Sequence, residues 1–221
     1  MDGGRSPLRR GVAVALPFAV AVGLFGVSFG VLADATRDLG AVASIVMSVF
    51  TFAGSAQFAA VSVFAAGGQA PAAIAAAILL NLRYLAIGAS VAPSMQGCRL
   101  RRFLTAQLIV DESWALSSRG TGKFEMPVLV GAGLALWIAW VVGTVLGVVG
   151  GRALGDPKAF GLDAAFPALF LALVMPQLRT RRALAAAVLG AAIALVLVPI
   201  SPPGVPIVAA ALAALIALIR R

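Results

Sequence analysis

Apolar residues fall along this chain in seven long blocks, at 11–33, 41–66, 71–96, 127–149, 161–178, 183–199 and 204–219. A helix needs roughly 20 apolar residues to cross the hydrocarbon core of a bilayer. The blocks therefore predict an all-α polytopic membrane bundle. The last two are short, and Pro199, Pro202, Pro203 and Pro206 separate them as a turn. No soluble domain fits between the blocks, so residues 1–221 read as one transmembrane domain. The segment 103–118, FLTAQLIVDESWALSS, is apolar at both ends with Asp111 and Glu112 at its centre. It reads as a loop, an interfacial helix or a further crossing, which makes the count seven or eight spans. The eight-span arrangement is the expectation, because it puts the basic N-terminus and the RTRR segment on the same, cytoplasmic side.

Three blocks hold polar residues where a purely lipid-facing helix would have none. In TFAGSAQFAA, Gly54, Ser55 and Gln57 lie near the centre of the second block. Backbone that leaves the helix at mid-membrane is tolerated only where it is buried or lines a cavity, and interrupted helices at binding sites use such breaks. On that reading Gly54 permits the break, Ser55 starts a second half-helix and Gln57 adds a donor and an acceptor. Close helix packing is the plainer account of Gly54, Ser55 and Ala56, but it leaves Gln57 unexplained. In LLNLRYL, Asn81, Arg83 and Tyr84 lie in the third block, with Arg83 12 residues from Pro71 and 13 from Gln96. An arginine at that depth costs at least ~2.5–3.5 kcal/mol on insertion scales, so it faces a partner or a wet cavity. It suits holding a carboxylate through a bidentate fork, or a structural ion pair with Asp111, Glu112 or Asp163. In VDESW, Asp111 and Glu112 point about 100° apart on a helix, so one faces inward and can meet a proton or an ammonium group. On a surface loop both are simply solvated. Asp163 opens the fifth block as a helix-start residue or a further site acid. Pro167 and Pro176 predict a kink in that block.

Composition narrows the functional classes. The chain is 62% hydrophobic and 11% charged with a mean hydropathy of +1.05, far from a soluble domain. The net charge of +9 reads as basic membrane-proximal loops and not as a nucleic-acid interface. The first apolar block, after a basic start, exceeds a signal-peptide core of about 7–15 residues, so it reads as a retained first helix. Cys98 is the one cysteine and histidine is absent, so no disulfide, cysteine metal site or histidine relay is expected, and no cofactor is implied. The P-loop pattern is missing, and a serine-type membrane protease would want a histidine. LGD at Leu154 to Asp156 is a poor match to an aspartic intramembrane protease, with Asp156 beside Pro157 in a loop.

A shift of 120 residues lays Gly23 on Gly143, Gly30 on Gly150, Phe50 on Phe170 and Gln57 on Gln177. This is read either as chance in an Ala/Val/Gly-rich chain or as an internal repeat, with 11–33 falling largely on 127–149, 41–66 roughly on 161–178, and Gln177 as the counterpart of Gln57. Whether the repeat is parallel or inverted depends on whether 103–118 crosses. Gly26/Gly30 and Gly143/Gly147 are Gly-x-x-x-Gly pairs that favour close helix contact.

FAGSAQF (Phe52 to Phe58), NLRYL (Asn81 to Leu85), DESWAL (Asp111 to Leu116) and GLDAAFPALFLALV (Gly161 to Val174) together resemble the AzlC family, in order and spacing, over nearly the whole chain. Members typically carry histidine where this chain has Tyr84, so a histidine role does not carry over. The resemblance implies the large subunit of a two-component exporter of branched-chain amino acids in the cell membrane, working with a small hydrophobic partner of the AzlD type. A zwitterionic substrate then suggests Gly54, Ser55, Gln57, Asn81, Arg83 and Gln177 around the carboxylate, and Asp111, Glu112 or Asp163 for the ammonium or a coupling proton. A non-transporting scaffold subunit is the competing reading. A passive channel would show a continuous polar stripe, and a membrane enzyme would need a catalytic set.

Overall fold

The computed structural model describes residues 6–36, 39–120, 122–154, 180–201 and positions 171, 175, 178, 205, 206, 209 and 210, with α8 side chains to Gly151. The described chain is helical: α1 (Pro7–Ala35), α2 (Gly40–Phe50), α3 (Gly54–Ala65), α4 (Ala70–Asn81), α5 (Arg83–Val91), α6 (Arg99–Ala106), α7 (Asp111–Ser117), α8 (Met126–Leu154) and α9 (Arg181–Leu197). A 3₁₀ turn at Ala92–Ser94 extends α5. No strand occurs among the described residues, and Ser118 and Phe124 form an isolated bridge.

Two long apolar helices, α1 and α8, make the spine. Their backbones approach closely because the facing positions are glycine. A Cβ on Gly26 would fall 2.6 Å from the Trp140 carbonyl oxygen, and one on Gly30 2.9 Å from the Val148 nitrogen. Close approach multiplies dispersion contacts, which drive helix association once lipid has removed the hydrophobic incentive. The helices run parallel: Leu8 and Gly11 meet Gly131 and Val128 at one end, and Val31 meets Gly151 at the other. Gly143 lies against Gly23, Gly147 against Val27 and Gly151 against Val31, a constant offset of 120 residues. The pairs Leu8–Gly131 and Gly11–Val128 are reciprocal under the same offset. Reciprocal contact marks a two-fold relation, here about an axis running along the helices. The first helices of the two predicted halves therefore pair as a parallel repeat. The predicted match of Gln57 to Gln177 lies outside the described residues.

The second block is interrupted, and it also folds back. Gln57 Nε2 donates to Ser48 Oγ at 3.1 Å. On a helix that carried straight on, nine residues would separate them by roughly 13 Å along the axis. So α3 returns alongside α2 as a re-entrant hairpin. Its tip stands level with Trp137 and Trp140, which bracket the middle of the Met126–Gly151 span: Trp137 donates to the Val49 carbonyl at 3.0 Å, and the Trp140 ring lies against Gly54. The third block is a bent pair, α4 and α5, meeting at 44° about Leu82, midway between Ala70 and Ser94. The bend is a tightened turn, with Leu82 N–H bonding Leu79 and Leu85 N–H bonding Leu82. The segment 103–118 is a second hairpin from the opposite end. Its α6 starts beside the first turns of α1 and α8, the tip carbonyl of Leu108 abuts Gly133, and α7 returns to place Ser117 against Glu125.

These hairpins leave the expected seven or eight spans unconfirmed. Among the described residues two helices are long and apolar enough to cross, or three if the bent pair is one span. Neither 41–66 nor 103–118 forms one crossing helix, because each is two short helices about a sharp tip. With α4–α5 as the one crossing between them, α1 and α8 must point the same way, as they do. The block 183–199 corresponds to α9. Most of 161–178 and 204–219, with Asp156, Asp163, Pro167, Pro176 and Gln177, lies outside the described residues.

Candidate functional site

The two hairpin tips and the α4–α5 bend converge at the level of the α8 midpoint. Each tip exposes backbone groups that a helix would have satisfied. At the end of α2, Val49 and Phe50 carbonyls accept from Trp137 Nε1 at 3.0 Å and Gln107 Nε2 at 2.6 Å. Gln107 belongs to the second tip, so this bond ties the two hairpins together. At the start of α3, Gln57 Oε1 accepts from the Ala53 N–H at 3.1 Å. Thr144 Oγ1 donates to the Trp140 carbonyl at 2.9 Å, so the 2.8 Å contact between Ser48 and Thr144 is donated by Ser48. A chain of hydrogen bonds thus runs from Gln57 through Ser48 and Thr144 to the Trp140 carbonyl. Val110, which caps α7, donates its N–H to Ser113 Oγ at 2.9 Å, and Trp114 Nε1 donates to Ser90 Oγ at 3.0 Å, fixing α7 to α5.

The break lies at Thr51–Ala53. The left-handed residue is Phe52, with φ of 39°, which costs a non-glycine residue roughly 1–3 kcal/mol. Gly54 serves close approach instead: a Cβ there would sit 3.1 Å from the Trp140 ring. Ser55 is the second residue of α3 rather than its first.

Around Arg83 the predicted residues come together in part. Its Nη2 donates to Ser55 Oγ at 3.0 Å and pairs with Asp111 Oδ2 at 3.0 Å. The guanidinium also lies over the Tyr84 ring, 5.1 Å from the centroid. Arg83 and Asp111 side chains are 46% and 45% exposed, so the pair is open to exchange partners. Beside it is a cavity of about 220 Å³, lined by Thr51, Phe52, Asn81, Tyr84, Gln107 and Ile109 among others. Drug-sized pockets start near 300 Å³, so this one suits a smaller guest. Asn81 Oδ1 is buried and has no hydrogen-bond partner among the described residues. Glu112 follows Asp111 on α7 and makes no ion pair among the described residues. Gln57 stands apart from this group: it is fully buried and both ends of its amide are used inside the hairpin. Changing Gln57 to Leu orphans the Ala53 N–H and is expected to destabilise the fold by about 1–3 kcal/mol. An unfolding midpoint in detergent equal to that of the unaltered protein would refute the hairpin-staple role.

The AzlC protein family model matches residues 17–154, which include both hairpins and the Arg83 group. The chain belongs to the AzlC family. Among relatives, it is 34% identical over 208 residues to an uncharacterized membrane protein of Archaeoglobus fulgidus, covering 93% of this chain and 91% of that one. It is 27% identical over 177 residues to an uncharacterized membrane protein of Helicobacter pylori, covering 78% and 76%. No solved structure matches. This AzlC chain is accordingly membrane-bound.

Sequence reasoning passed over two groups in the AzlC site. Gln107 was visible as a lone amide in FLTAQLIV, but nothing local says that it reaches Phe50. Trp137 and Trp140 read as ordinary apolar residues of the fourth block, although an indole N–H in a membrane core asks for an acceptor. Trp137 finds one at Val49, and Trp140 instead stacks with Phe29 at 5.7 Å.

Proposed function

We propose that this AzlC chain is the large subunit of a secondary transporter exporting branched-chain amino acids, coupled to protons and assisted by a small hydrophobic membrane partner. The observation that carries this reading is Arg83: a half-exposed guanidinium at mid-bundle, beside a small cavity, between two interrupted hairpins. The substrate carboxylate competes with Asp111 for Arg83, and Ser55 and the start of α3 lend further donors. Displaced Asp111, or Glu112 beside it, is then available to the ammonium group or a proton. Asn81 Oδ1 offers the ammonium another acceptor. Thr51, Phe52, Tyr84 and Ile109 give the apolar side chain a wall. A scaffold subunit would have no cavity beside Arg83 and no reason to leave the ion pair half-exposed.

The test is counterflow of radiolabelled leucine in proteoliposomes holding the chain with its small partner. Uptake driven by internal leucine is expected, and none for any branched-chain amino acid would leave the scaffold reading ahead.

Orientation follows the positive charges. Arg9, Arg10, Arg99, Arg101, Arg102, Arg119 and Lys123 gather at the end where α1 and α8 begin, which makes that end cytoplasmic on this reading. Glu125 binds Arg10 and Arg119 there and pins the start of α8 to α1. Cys98 is exposed at the same end. A membrane-impermeant maleimide should label it in inside-out vesicles and leave it untouched in intact cells. The reverse pattern would place the basic end outside.

A further inference from the structure

A second, larger cavity of about 940 Å³ opens at the basic end, between α6 and the first turns of α1 and α8. Arg101, Arg102 and Lys123 line it, and among the described residues no acidic one does. None of the three makes an ion pair among the described residues, whereas nearby Arg10 and Arg119 are matched by Glu125. Arg101 is also set in place by its neighbour. Gly97 has φ of 104° and no Cβ, and the Arg101 stem lies over it where a Cβ would come within 2.9 Å. The remaining wall is largely apolar, with Leu8, Met126 and Val130 facing the same space.

We propose that this cavity binds an anionic phospholipid, its phosphate on Arg101, Arg102 and Lys123 and the start of its acyl chains along Leu8, Met126 and Val130. Three unmatched cations and no anion call for a negatively charged guest. The volume and the apolar wall call for one with a greasy body, which a free phosphate or an amino acid lacks. The position completes the match, because the cations stand at the end of the spanning helices, where headgroups lie, and the apolar wall continues into the depth of the bundle. The site is separate from the Arg83 group, and it stands whether or not the chain moves leucine.

Native mass spectrometry of the detergent-purified protein, titrated with phosphatidylglycerol, phosphatidylcholine or glycerol 1-phosphate, tests the assignment. One phosphatidylglycerol should be retained with ~10-fold or greater preference over phosphatidylcholine, and glycerol 1-phosphate should not be retained. The triple change Arg101→Gln, Arg102→Gln, Lys123→Gln should lower phosphatidylglycerol to the phosphatidylcholine level. Arg119→Gln, whose charge is already matched and lies outside the cavity lining, should leave the preference intact. Equal retention of the two lipids, or a preference that survives the triple change, overturns the proposal. So does binding of glycerol 1-phosphate as tight as that of the lipid, which would make this a simple anion site. If the triple variant does not fold, Arg101→Gln and Lys123→Gln are measured singly. Each should reduce the preference by roughly 5-fold, and no reduction in either overturns the assignment.

Discussion

Replacing Arg83 by Gln should lower leucine counterflow by roughly 10- to 150-fold, the loss expected for a hydrogen-bonded charged contact to the substrate. It should do so without unfolding the protein. The pair with Asp111 is nearly half exposed on both sides, and exposed pairs contribute only about 0–1 kcal/mol. Lysine should recover little of the activity. A guanidinium can meet Ser55 and a carboxylate at once from a planar fork, whereas an ammonium is a point charge on a flexible stem. The double variant Arg83→Gln, Asp111→Asn separates a structural role from a binding one. It removes both charges, so any strain from an unpaired Asp111 disappears. Restored counterflow in that variant would mean that Arg83 only neutralises Asp111. Continued loss with an unchanged unfolding midpoint rules out neutralising Asp111 as the sole role of Arg83, and the single variant Asp111→Asn then separates the share of the two residues.

Gly143→Val should have the opposite profile: loss of the fold itself. A Cβ at Gly143 would land on the Gly23 carbonyl oxygen, and both atoms belong to helix backbone that cannot swing aside. Overpacking typically costs 1–3 kcal/mol when side chains can rearrange, so a clash with backbone along the spine should reach ~3 kcal/mol or more. The yield of monodisperse protein in detergent and its unfolding midpoint report this directly. Gly150→Val is the control, since nothing lies within 4 Å of a Cβ there. A Gly143 variant as stable as the Gly150 one would mean that α1 and α8 are not held in this register.

These two residues also mark how far the sequence could be read. Arg83 stood out because a cation amid apolar residues has few tolerable environments. The glycine register of the spine was already present in the 120-residue shift, because close packing leaves small residues at a fixed spacing. The interruption near Gly54 was legible for the same reason as Arg83, a polar cluster inside an apolar block. What hydropathy could not tell was whether the chain crosses at such a break or turns back. A block of 26 apolar residues makes one span of ~39 Å or two half-length helices side by side, and both have the same composition. The decision rests on contacts distant in sequence, such as Gln107 with Phe50 and Trp137 with Val49. Gln57 was noticed for its polarity and drawn towards the ligand, yet its amide is consumed within the hairpin. The left-handed turn fell on Phe52, where propensity alone would have chosen the neighbouring glycine.

The hairpin tip has a consequence for the order of events during synthesis. Val49 needs Trp137, made 88 residues later, and Ser48 needs Thr144, made 96 residues later. At ~5–20 residues per second the ribosome takes roughly 4–20 s to deliver them. Until then the carbonyls at the end of α2 would meet lipid with nothing to accept from, which a bilayer does not tolerate. The hairpin is therefore expected to wait near the water interface until α8 packs beside α1, so that its insertion follows the synthesis of α8.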